Sequence, residues 1–244
     1  MHSADAVRFL PCGDTALAVE FGKEIDQAVS ETVLALDAAL AGRQVKGIVE
    51  TVPTFRSLMI HYDPLAVAPE TLTNLVLELI TEPSSHRPKQ RRWHIPACYE
   101  QQFGPDLDEV AGLTGLSSAE IIELHSATEF HVYMIGFLPG YPYMGDLPEQ
   151  LQLPRRQEPR VRLPAGSVAI ATAMTAIYPV ESPGGWRLIG RSPIKLFDAQ
   201  WERPSLLLPG DKVRFTPITV SRFEEIGREV EAGHYVPEHE LVEA

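Results

Sequence analysis

Two segments dense in glycine and proline, residues 136–145 and 164–186, carry the side chains best suited to bind a small molecule. Glycine allows positive φ and a close approach of the backbone, and proline fixes φ, so such segments can form a rigid pocket. Their aromatic residues include Tyr141, Tyr143, Tyr178 and Trp186. We therefore predict an aromatic-lined pocket that binds substrate. The alternative is a set of tight turns whose aromatic residues pack into the core.

Three arginines, Arg155, Arg156 and Arg160, lie in a proline-framed loop between these two segments. The planar guanidinium group binds carboxylates and phosphates through two parallel hydrogen bonds. We therefore predict that Arg155 and Arg156 bind substrate and that Arg160 takes part in catalysis. The alternative is a solvated loop, or a subunit interface in which these arginines form salt bridges.

Four further polar residues complete the candidate site. Histidine titrates near physiological pH and can act as a general acid or base, so we assign His125 to catalysis together with Thr175. Neither Thr175 nor Ser167 has a base nearby in the sequence, which gives little support to nucleophilic catalysis. Ser167 and Arg191 are assigned to substrate binding. The alternatives are a structural His125 and an Arg191 that only fixes the 182–186 loop.

Several common catalytic motifs are missing from the sequence. There is no GxxxxGK[ST] phosphate loop, so a nucleotide would have to bind without one. No G-x-S-x-G nucleophile elbow occurs, and the eight histidines form neither HExxH nor a Cys/His ligand spacing. We therefore predict no metal site.

Composition narrows the class of protein further. A formal charge of −12 over 244 residues argues against nucleic acid as a partner, because phosphate binding needs clustered Lys and Arg. Cys12 and Cys98 are far apart and form no CxxC motif, which favours a reducing compartment. We recognise no signal peptide and no run of about 20 apolar residues that could span a bilayer. The sequence therefore predicts a cytoplasmic protein without a membrane partner.

The elements that must position these residues fall into two regions. Residues 1–83 read as a small ferredoxin-like α/β domain, because strand and helix patterns alternate. Their order is a strand near 17–21, a helix over 29–40, strands over 47–52 and 56–62, and a helix from Pro69. Gly42 is the predicted end of the first helix.

The rest of the chain follows a polar, proline-bearing linker at 84–92. Residues 93–219 begin with an extended segment at 93–96, which two short helices follow, one over 106–111 and one behind a Ser117–Glu120 capping box. From residue 129 onward, strand-like runs between Pro and Gly clusters favour a β-barrel or sandwich. Residues 220–244 are predicted to form an acidic helix and tail, with Ser221 as the helix cap. The fold class is therefore α+β.

Several motifs are similar to those of the KipI-like family, which is often labelled allophanate hydrolase subunit 1. They are Phe137-x-Pro-Gly-Tyr-Pro-Tyr-Met-Gly, Pro154-Arg-Arg-x-x-Pro-Arg, Pro164-Ala-Gly-Ser-Val, Ser182-Pro-Gly-Gly-Trp-x-Leu-Ile-Gly-Arg and Leu208-Pro-Gly-Asp-x-Val-Arg-Phe. The resemblance covers most of the chain and is specific, because many rare residue types match in order.

This resemblance implies a cyclophilin-like β-barrel after the N-terminal domain. It also implies the B subunit of an ATP-dependent 5-oxoprolinase, which opens 5-oxo-L-proline to L-glutamate and is inactive as an isolated chain. The implied partners are a KipA-like C subunit, itself cyclophilin-like, and a TIM-barrel-like A subunit. ATP, with or without Mg²⁺, would belong to the complex, since nothing indicates that this chain binds it alone.

One departure leaves the substrate open. The family usually has Gln-Thr-Gly where this chain has Met174-Thr175-Ala176, which removes an amide and adds a Cβ. Three other functions therefore stay open. They are an inhibitor of a sensor histidine kinase, a subunit of an allophanate- or urea-type amide hydrolase or carboxyltransferase, and a peptidyl-prolyl isomerase. The last of these rests on analogy of fold alone.

Overall fold

The computed structural model describes residues 7–81 and 90–242, and the chain divides into two compact units at Gln90. Both units contain helices and strands, so the predicted mixed α+β class is confirmed. The first strand of the second unit begins at Gln90, so residues 90–92 are strand and not linker. The remainder of the predicted linker, 84–89, lies outside the described residues.

The first unit is a four-stranded antiparallel sheet with two helices. Its elements are β1 (Arg8–Pro11), β2 (Ala16–Glu20), α1 (Gln27–Arg43), β3 (Ile48–Pro53), β4 (Ser57–Tyr62) and α2 (Pro69–Thr81). The strands lie in the order β1-β2-β4-β3. The predicted β-α-β-β-α series allowed for one more strand, and that strand is β1, which comes before the series.

Alternation of side chains explains the core of this unit. Val19 and Ile60 point to one face of the sheet, where they pack with Val33 of α1 and Val76 of α2. The predicted end of α1 at Gly42 is wrong. The helix continues to Arg43 and ends where Gln44 adopts left-handed backbone angles, with φ at 47°.

The second unit is built on an eight-stranded sheet. Its elements are β5 (Gln90–Ala97), α3 (Leu107–Thr114), α4 (Ser118–Ala127), β6 (Phe130–Ile135), β7 (Pro142–Gly145), β8 (Arg160–Leu163), β9 (Ser167–Ala171), β10 (Met174–Ile177), β11 (Ser182–Gly184), β12 (Arg187–Arg191), β13 (Lys212–Pro217), α5 (Val220–Glu231) and β14 (His239–Val242). The strand order is β12-β9-β10-β7-β6-β13-β5-β14, and β8 pairs separately with β11.

The sheet also connects β12 to β5. Just beyond β5, Cys98 exchanges two backbone hydrogen bonds with Arg191 at the end of β12, at 2.8 and 2.9 Å. Seven strands, β12 to β5, are therefore hydrogen-bonded in a ring. Buried apolar side chains fill its interior, among them Ile95, Phe130 and Ile170.

The observed helix caps in this unit agree only in part with the caps predicted from the sequence. The Ser117–Glu120 capping box is present at α4, as predicted. α5 begins two residues earlier than predicted, because its cap is Thr219 and not Ser221, and Thr219 accepts the hydrogen bond from Arg222 N–H. The predicted acidic tail includes β14, which pairs antiparallel with β5. No helix in the described part of the chain is long and apolar enough to cross a membrane.

Candidate functional site

The four aromatic residues predicted to line a pocket come together in the second unit. The Tyr141 ring lies at the centre, with centroid distances of 5.0 Å to Tyr143, 5.1 Å to Tyr178 and 6.2 Å to Trp186. All three contacts are edge-to-face, the arrangement in which the positive ring edge meets the negative face of its neighbour. Tyr141, Tyr178 and Trp186 are buried, whereas Tyr143 is half-buried.

Close packing of the backbone explains the glycines around this cluster. A Cβ atom on Gly184 would lie 2.4 Å from Tyr178 Oη and 2.5 Å from Leu163 Cδ1, so no larger residue fits without displacement. In the loop before Tyr141, Gly140 and Phe137 both have positive φ, at 76° and 67°. Positive φ is unfavourable for phenylalanine, and Phe137 is 62% exposed. Such strained residues concentrate at functional sites.

Arg155 adds a positive charge to the aromatic cluster. Its guanidinium carbon lies 5.9 Å from the centroid of the Trp186 ring, and the side chain is exposed. Burial raises the pKa of Tyr141, Tyr143 and Tyr178, and the nearby Arg155 charge opposes that rise in part. The three phenols therefore stay protonated at neutral pH. Within residues 7–81 and 90–242 no carboxylate forms an ion pair with Arg155.

His125 and Thr175, both predicted to be catalytic, are in direct contact. His125 Nε2 lies 2.9 Å from Thr175 Oγ1, and His125 Nδ1 lies 2.8 Å from Tyr99 Oη. Thr175 Oγ1 donates to the carbonyl oxygen of Ala169 at 3.1 Å. The His125 ring is fully buried, with ring centroids 5.0 Å from Phe130 and 4.5 Å from Phe215.

This chain of hydrogen bonds fixes the protonation of His125. Thr175 donates its proton to Ala169, so Nε2 must carry the hydrogen and Nδ1 must accept from the Tyr99 hydroxyl. Burial lowers the pKa of His125 to about 3 and raises that of Tyr99. Both groups are thus neutral at pH 7, and both ring nitrogens are occupied inside the core. The arrangement favours the structural role that the sequence left open for His125.

Arg156 and Arg160 lie in an ion-pair network and not in the aromatic cluster. Arg160 forms a bidentate pair with Asp106, at 2.5 and 2.7 Å. Arg156 Nη1 lies 3.2 Å from the same carboxylate and 2.6 Å from Glu109. Asp106 also accepts from Leu188 N–H at 2.7 Å and is almost fully buried. These ion pairs lie within the chain, whereas the sequence-based alternative placed them at a subunit interface, and they attach the loop before β8 to the start of α3.

Ser167 and Arg191 both bind the backbone of the 164–166 turn. Ser167 Oγ donates to Pro164 O at 2.7 Å, and Arg191 Nε donates to Ala165 O at 2.7 Å. Arg191 therefore fixes this turn by a side-chain hydrogen bond, whereas the sequence suggested the 182–186 loop.

The two residues that depart from the family pattern lie on the aromatic side of β10. Thr175 pairs with Ile170 and points into the ring of strands, so Met174 and Ala176 point to the opposite face, which continues into Tyr178. Ala176 is buried in regular strand without positive φ, so the backbone does not require glycine there. Where the family usually has Gln, this chain has Met174. The face of β10 that continues into Tyr178 therefore lacks the amide group of that glutamine.

Two important residues were missed by the sequence analysis. Tyr99 and Asp106 act through partners that are 26 and 54 residues away in the sequence, so no local motif identifies them. A groove of about 360 Å³ runs beside Tyr99, Glu100 and Asp108 and contains none of the predicted site residues. In the described part of the chain, His, Cys, Asp and Glu form no group of three or more suited to a metal ion.

Comparison with known proteins identifies the family. Residues 7–207 match the model of the carboxyltransferase domain, subdomains C and D. The chain is 40% identical to the 5-oxoprolinase B subunit of Bacillus subtilis (strain 168), over 85% of this chain and 91% of that protein. It is 39% identical to the 5-oxoprolinase B subunit of Escherichia coli O157:H7, over 84% of this chain and 93% of that protein.

A solved structure extends the likeness of fold. The crystal structure of the Kluyveromyces lactis urea carboxylase superposes with a TM-score of 0.78, covering 97% of this chain and 24% of that one. At 22% identity, this match shows a shared fold alone. The resemblance inferred from the Gly/Pro-rich motifs is thus confirmed at the level of the family. The chain belongs to the carboxyltransferase-domain family, subdomains C and D.

Proposed function

We propose that this chain is the B subunit of an ATP-dependent 5-oxoprolinase, which opens 5-oxo-L-proline to L-glutamate together with partner subunits. One observation carries the proposal: the chain matches 91% of the length of the Bacillus subtilis 5-oxoprolinase B subunit at 40% identity. A likeness that spans nearly the whole of both proteins supports a shared role better than a likeness of fold does.

We propose a ferredoxin-like domain in the first unit and a cyclophilin-like barrel in the second. In the first unit β4 lies between β2 and β3, and the helices follow β2 and β4, which supports the ferredoxin-like arrangement. In the second unit the hydrogen bonds between Cys98 and Arg191 support a closed barrel. The proposed boundary between the domains lies at residue 90, where β5 begins.

The surface around Tyr141 is the proposed substrate-binding site. Its exposed members, Phe137 and Arg155, offer an apolar face and a guanidinium group, and Tyr143 is half-buried. A carboxylate on a small ring, as in 5-oxoproline, matches this combination. His125 with Thr175 would hold β10 in place, and Arg160 would hold the adjoining loop.

ATP is assigned to the complex and not to this chain. The sequence contains no GxxxxGK[ST] phosphate loop, so a nucleotide would have to bind this chain in another way.

The proposed partners are a KipA-like C subunit plus a TIM-barrel-like A subunit, without which the chain would be inactive. The designation of its relatives as B subunits supports the existence of further subunits. We also propose a cytoplasmic location, which the free thiols of exposed Cys12 and buried Cys98 support.

A carboxyltransferase or urea-type amide hydrolase is the second candidate function. The name of the matching family and the fold shared with a urea carboxylase favour it. Met174, on the Tyr178 side of β10, is where a change of substrate would be expected.

Co-expression with the candidate partner subunits, followed by an assay of ATP hydrolysis and glutamate release, tests the proposal. We expect hydrolysis that depends on 5-oxoproline and stops when this chain is omitted. A stable complex that ignores 5-oxoproline but turns over urea or allophanate would favour the second candidate. Recovery of a sensor histidine kinase and no homologous subunit from a pull-down would contradict both.

A further inference from the structure

A groove of about 360 Å³ in the second unit contains neither Arg155 nor any residue of the aromatic cluster. Its walls come from four segments, namely 99–101, α3, α4 and 217–218. Leu107, Ile122 and Ile218 supply hydrocarbon surface, and Tyr99 adds an aromatic wall. Concave sites of about 300 to 1,000 Å³ with mostly apolar walls and a few polar groups are typical of small-molecule binding. The groove therefore has the size and the walls of a binding site.

The walls of this groove are held by contacts within the second unit. Tyr99 Oη lies 2.8 Å from His125 Nδ1, and the two rings meet edge-to-face with centroids 5.8 Å apart. A Cβ atom on Gly190 would lie 3.1 Å from Tyr99 Cδ1, so the tyrosine ring has little room to move on that side. Leu107 belongs to the buried core, and the capping box fixes the start of α4. The groove can therefore bind a ligand with little rearrangement, which favours affinity.

Two carboxylates in the groove, those of Glu100 and Asp108, form no ion pair within residues 7–81 and 90–242. Asp108 Oδ2 accepts a hydrogen bond from Gln101 Nε2 at 3.1 Å, which leaves both negative charges uncompensated. By contrast, the nearby Asp106 and Glu109 pair with arginines. Carboxylates beside apolar walls attract a cation more strongly than they would in bulk water, because the local dielectric constant is lower. The groove therefore favours a positively charged ligand.

These two carboxylates suit an organic cation better than a metal ion. In the part of the chain that the structure describes, no three of His, Cys, Asp and Glu are grouped as metal ligands would be. Ca²⁺, for comparison, takes about six to eight oxygen ligands. One or two carboxylates are enough to bind an ammonium or guanidinium group, and a hydrocarbon chain attached to that group matches the apolar walls.

We propose that the groove beside Tyr99 binds a small organic cation, an ammonium or guanidinium group carried on a short hydrocarbon chain. The charged group binds Glu100 and Asp108, and the hydrocarbon chain packs on the apolar walls. Such a ligand is opposite in charge to 5-oxoproline. The groove is therefore a second site, distinct in its residues and in its chemistry from the one at Arg155.

Thermal unfolding of the full-length chain with n-pentylammonium chloride or n-butylguanidinium chloride tests the site. A Kd of roughly 1 mM is expected for ligands of this size, so each salt is titrated to about 10 mM against sodium chloride at equal ionic strength. At about ten times its Kd, the better ligand should raise the Tm by roughly 3 to 5 °C more than sodium chloride does. Ammonium chloride, which lacks the hydrocarbon chain, should act like sodium chloride. The more effective of the two organic cations identifies the preferred charged group.

Neutral variants show where the cation binds. Glu100→Gln and Asp108→Asn each keep the shape of the side chain but remove its charge, and each should weaken the affinity about tenfold. Both residues are exposed, so both variants should remain folded. Glu123→Gln is the matched control, because Glu123 is an exposed carboxylate on α4 outside the groove. It should respond to the cations like the wild type.

Two results would overturn the site. One is a wild-type Tm that both organic cations raise no more than sodium chloride does. The other is a pair of groove variants, Glu100→Gln and Asp108→Asn, that bind the cations no differently from Glu123→Gln. Because this assay needs no turnover and no partner subunit, failure of the 5-oxoprolinase proposal would leave its outcome unaffected.

Discussion

His125 Nε2 lies 2.9 Å from Thr175 Oγ1, although 50 residues separate them in the sequence. The contact joins α4 to β10 inside the core and continues through Tyr99 on one side and Ala169 on the other. Every proton in this chain of hydrogen bonds has an acceptor, so the histidine is held as a neutral donor to threonine. Such a fully satisfied buried network favours one packing of the core over its alternatives.

Replacing His125 should destabilise the protein more than it slows any reaction. His125→Gln is expected to lower the free energy of unfolding by about 2 to 4 kcal/mol, because Tyr99 and Thr175 lose their partner. In a double-mutant cycle, Thr175→Val should show a coupling of about 1 kcal/mol with it. Urea denaturation measures both. The exposed His234→Ala serves as control and should change stability by less than about 0.5 kcal/mol.

A catalytic role for His125 would give a different result. Turnover by the reconstituted complex, measured at a temperature where the His125→Gln variant is fully folded, would then fall by far more than tenfold. A structural role leaves it within about tenfold.

The two buried histidines should make the protein less stable in mild acid. Burial lowers the pKa of His125 and of His131 to about 3, and the nearby Lys212 contributes at His131. Between pH 6.5 and 3 the unfolded chain therefore binds more protons than the folded one, and stability falls as pH falls. Each histidine should contribute roughly 1 kcal/mol per pH unit between pH 6.5 and 5.

Urea denaturation at pH 7, 6 and 5 measures this effect. The wild type should lose stability more steeply than His125→Gln, which retains only the His131 contribution. Parallel curves for the two proteins would show that His125 does not resist protonation in the folded state.

Removing the Asp106 charge should weaken the attachment of the arginine loop. Asp106→Asn leaves Arg156 and Arg160 without their shared carboxylate, and we expect a loss of about 2 to 3 kcal/mol. Limited proteolysis should then cut the loop before β8 faster. Asp108→Asn, an exposed carboxylate in the first turn of α3, which Asp106 precedes, is the matched control and should cost about 0.5 kcal/mol or less. Equal losses in both variants would contradict a specific role for Asp106.

Two adjacent glycines give a sharp test of the aromatic packing. Gly184→Ala places a Cβ atom 2.4 Å from Tyr178 Oη and should cost about 1 to 3 kcal/mol while displacing that ring. Gly185→Ala meets no atom closer than 3.5 Å, the distance to Pro159 Cβ, and should be nearly neutral. Chemical denaturation compares the two. If Gly184→Ala is as stable as Gly185→Ala, the close packing described around Tyr178 is incorrect.

Arg155 should affect the binding of substrate more than its conversion. In an active complex, Arg155→Ala is expected to raise the KM for 5-oxoproline about tenfold or more, with little change in kcat. Arg162→Ala removes an exposed arginine whose ion-pair partner among the described residues is Glu181, and it should leave the KM unchanged. Steady-state kinetics on both variants test this prediction. An equal change in KM in both variants would indicate a general charge effect.

Local patterns predicted the elements whose signals are contained in a few residues. α2 begins at Pro69 and α4 behind Ser117, because a first-turn proline and a capping box act within one helical turn. β14 was not predicted, since its four residues become a strand only by pairing with β5. The Gly/Pro-rich segments predicted a rigid aromatic cluster around Tyr141. They did not predict which polar side chains the fold places beside it.

The roles of polar side chains were harder to predict for the same reason. Arg155, Arg156 and Arg160 are alike in sequence, yet Arg155 lies over Trp186 while the other two pair with Asp106. Asp106 follows no recognisable motif, and its side chain does not even cap the helix that it precedes. Partners brought together by the fold, and not residue type, determine which arginine lies at the aromatic cluster and which two lie in the ion-pair network.

The pairing of β5 has a consequence for how the protein is made. β5 lies between β13, to which it is parallel, and β14, and Trp93 on β5 donates to Asp211, 118 residues further along the chain. A ribosome must therefore translate past residue 212 before β5 finds either neighbour. The first unit can fold while synthesis continues, whereas the second exposes an unpaired strand until β13 has been made. During translation, this nascent second unit is where chaperones would be needed most.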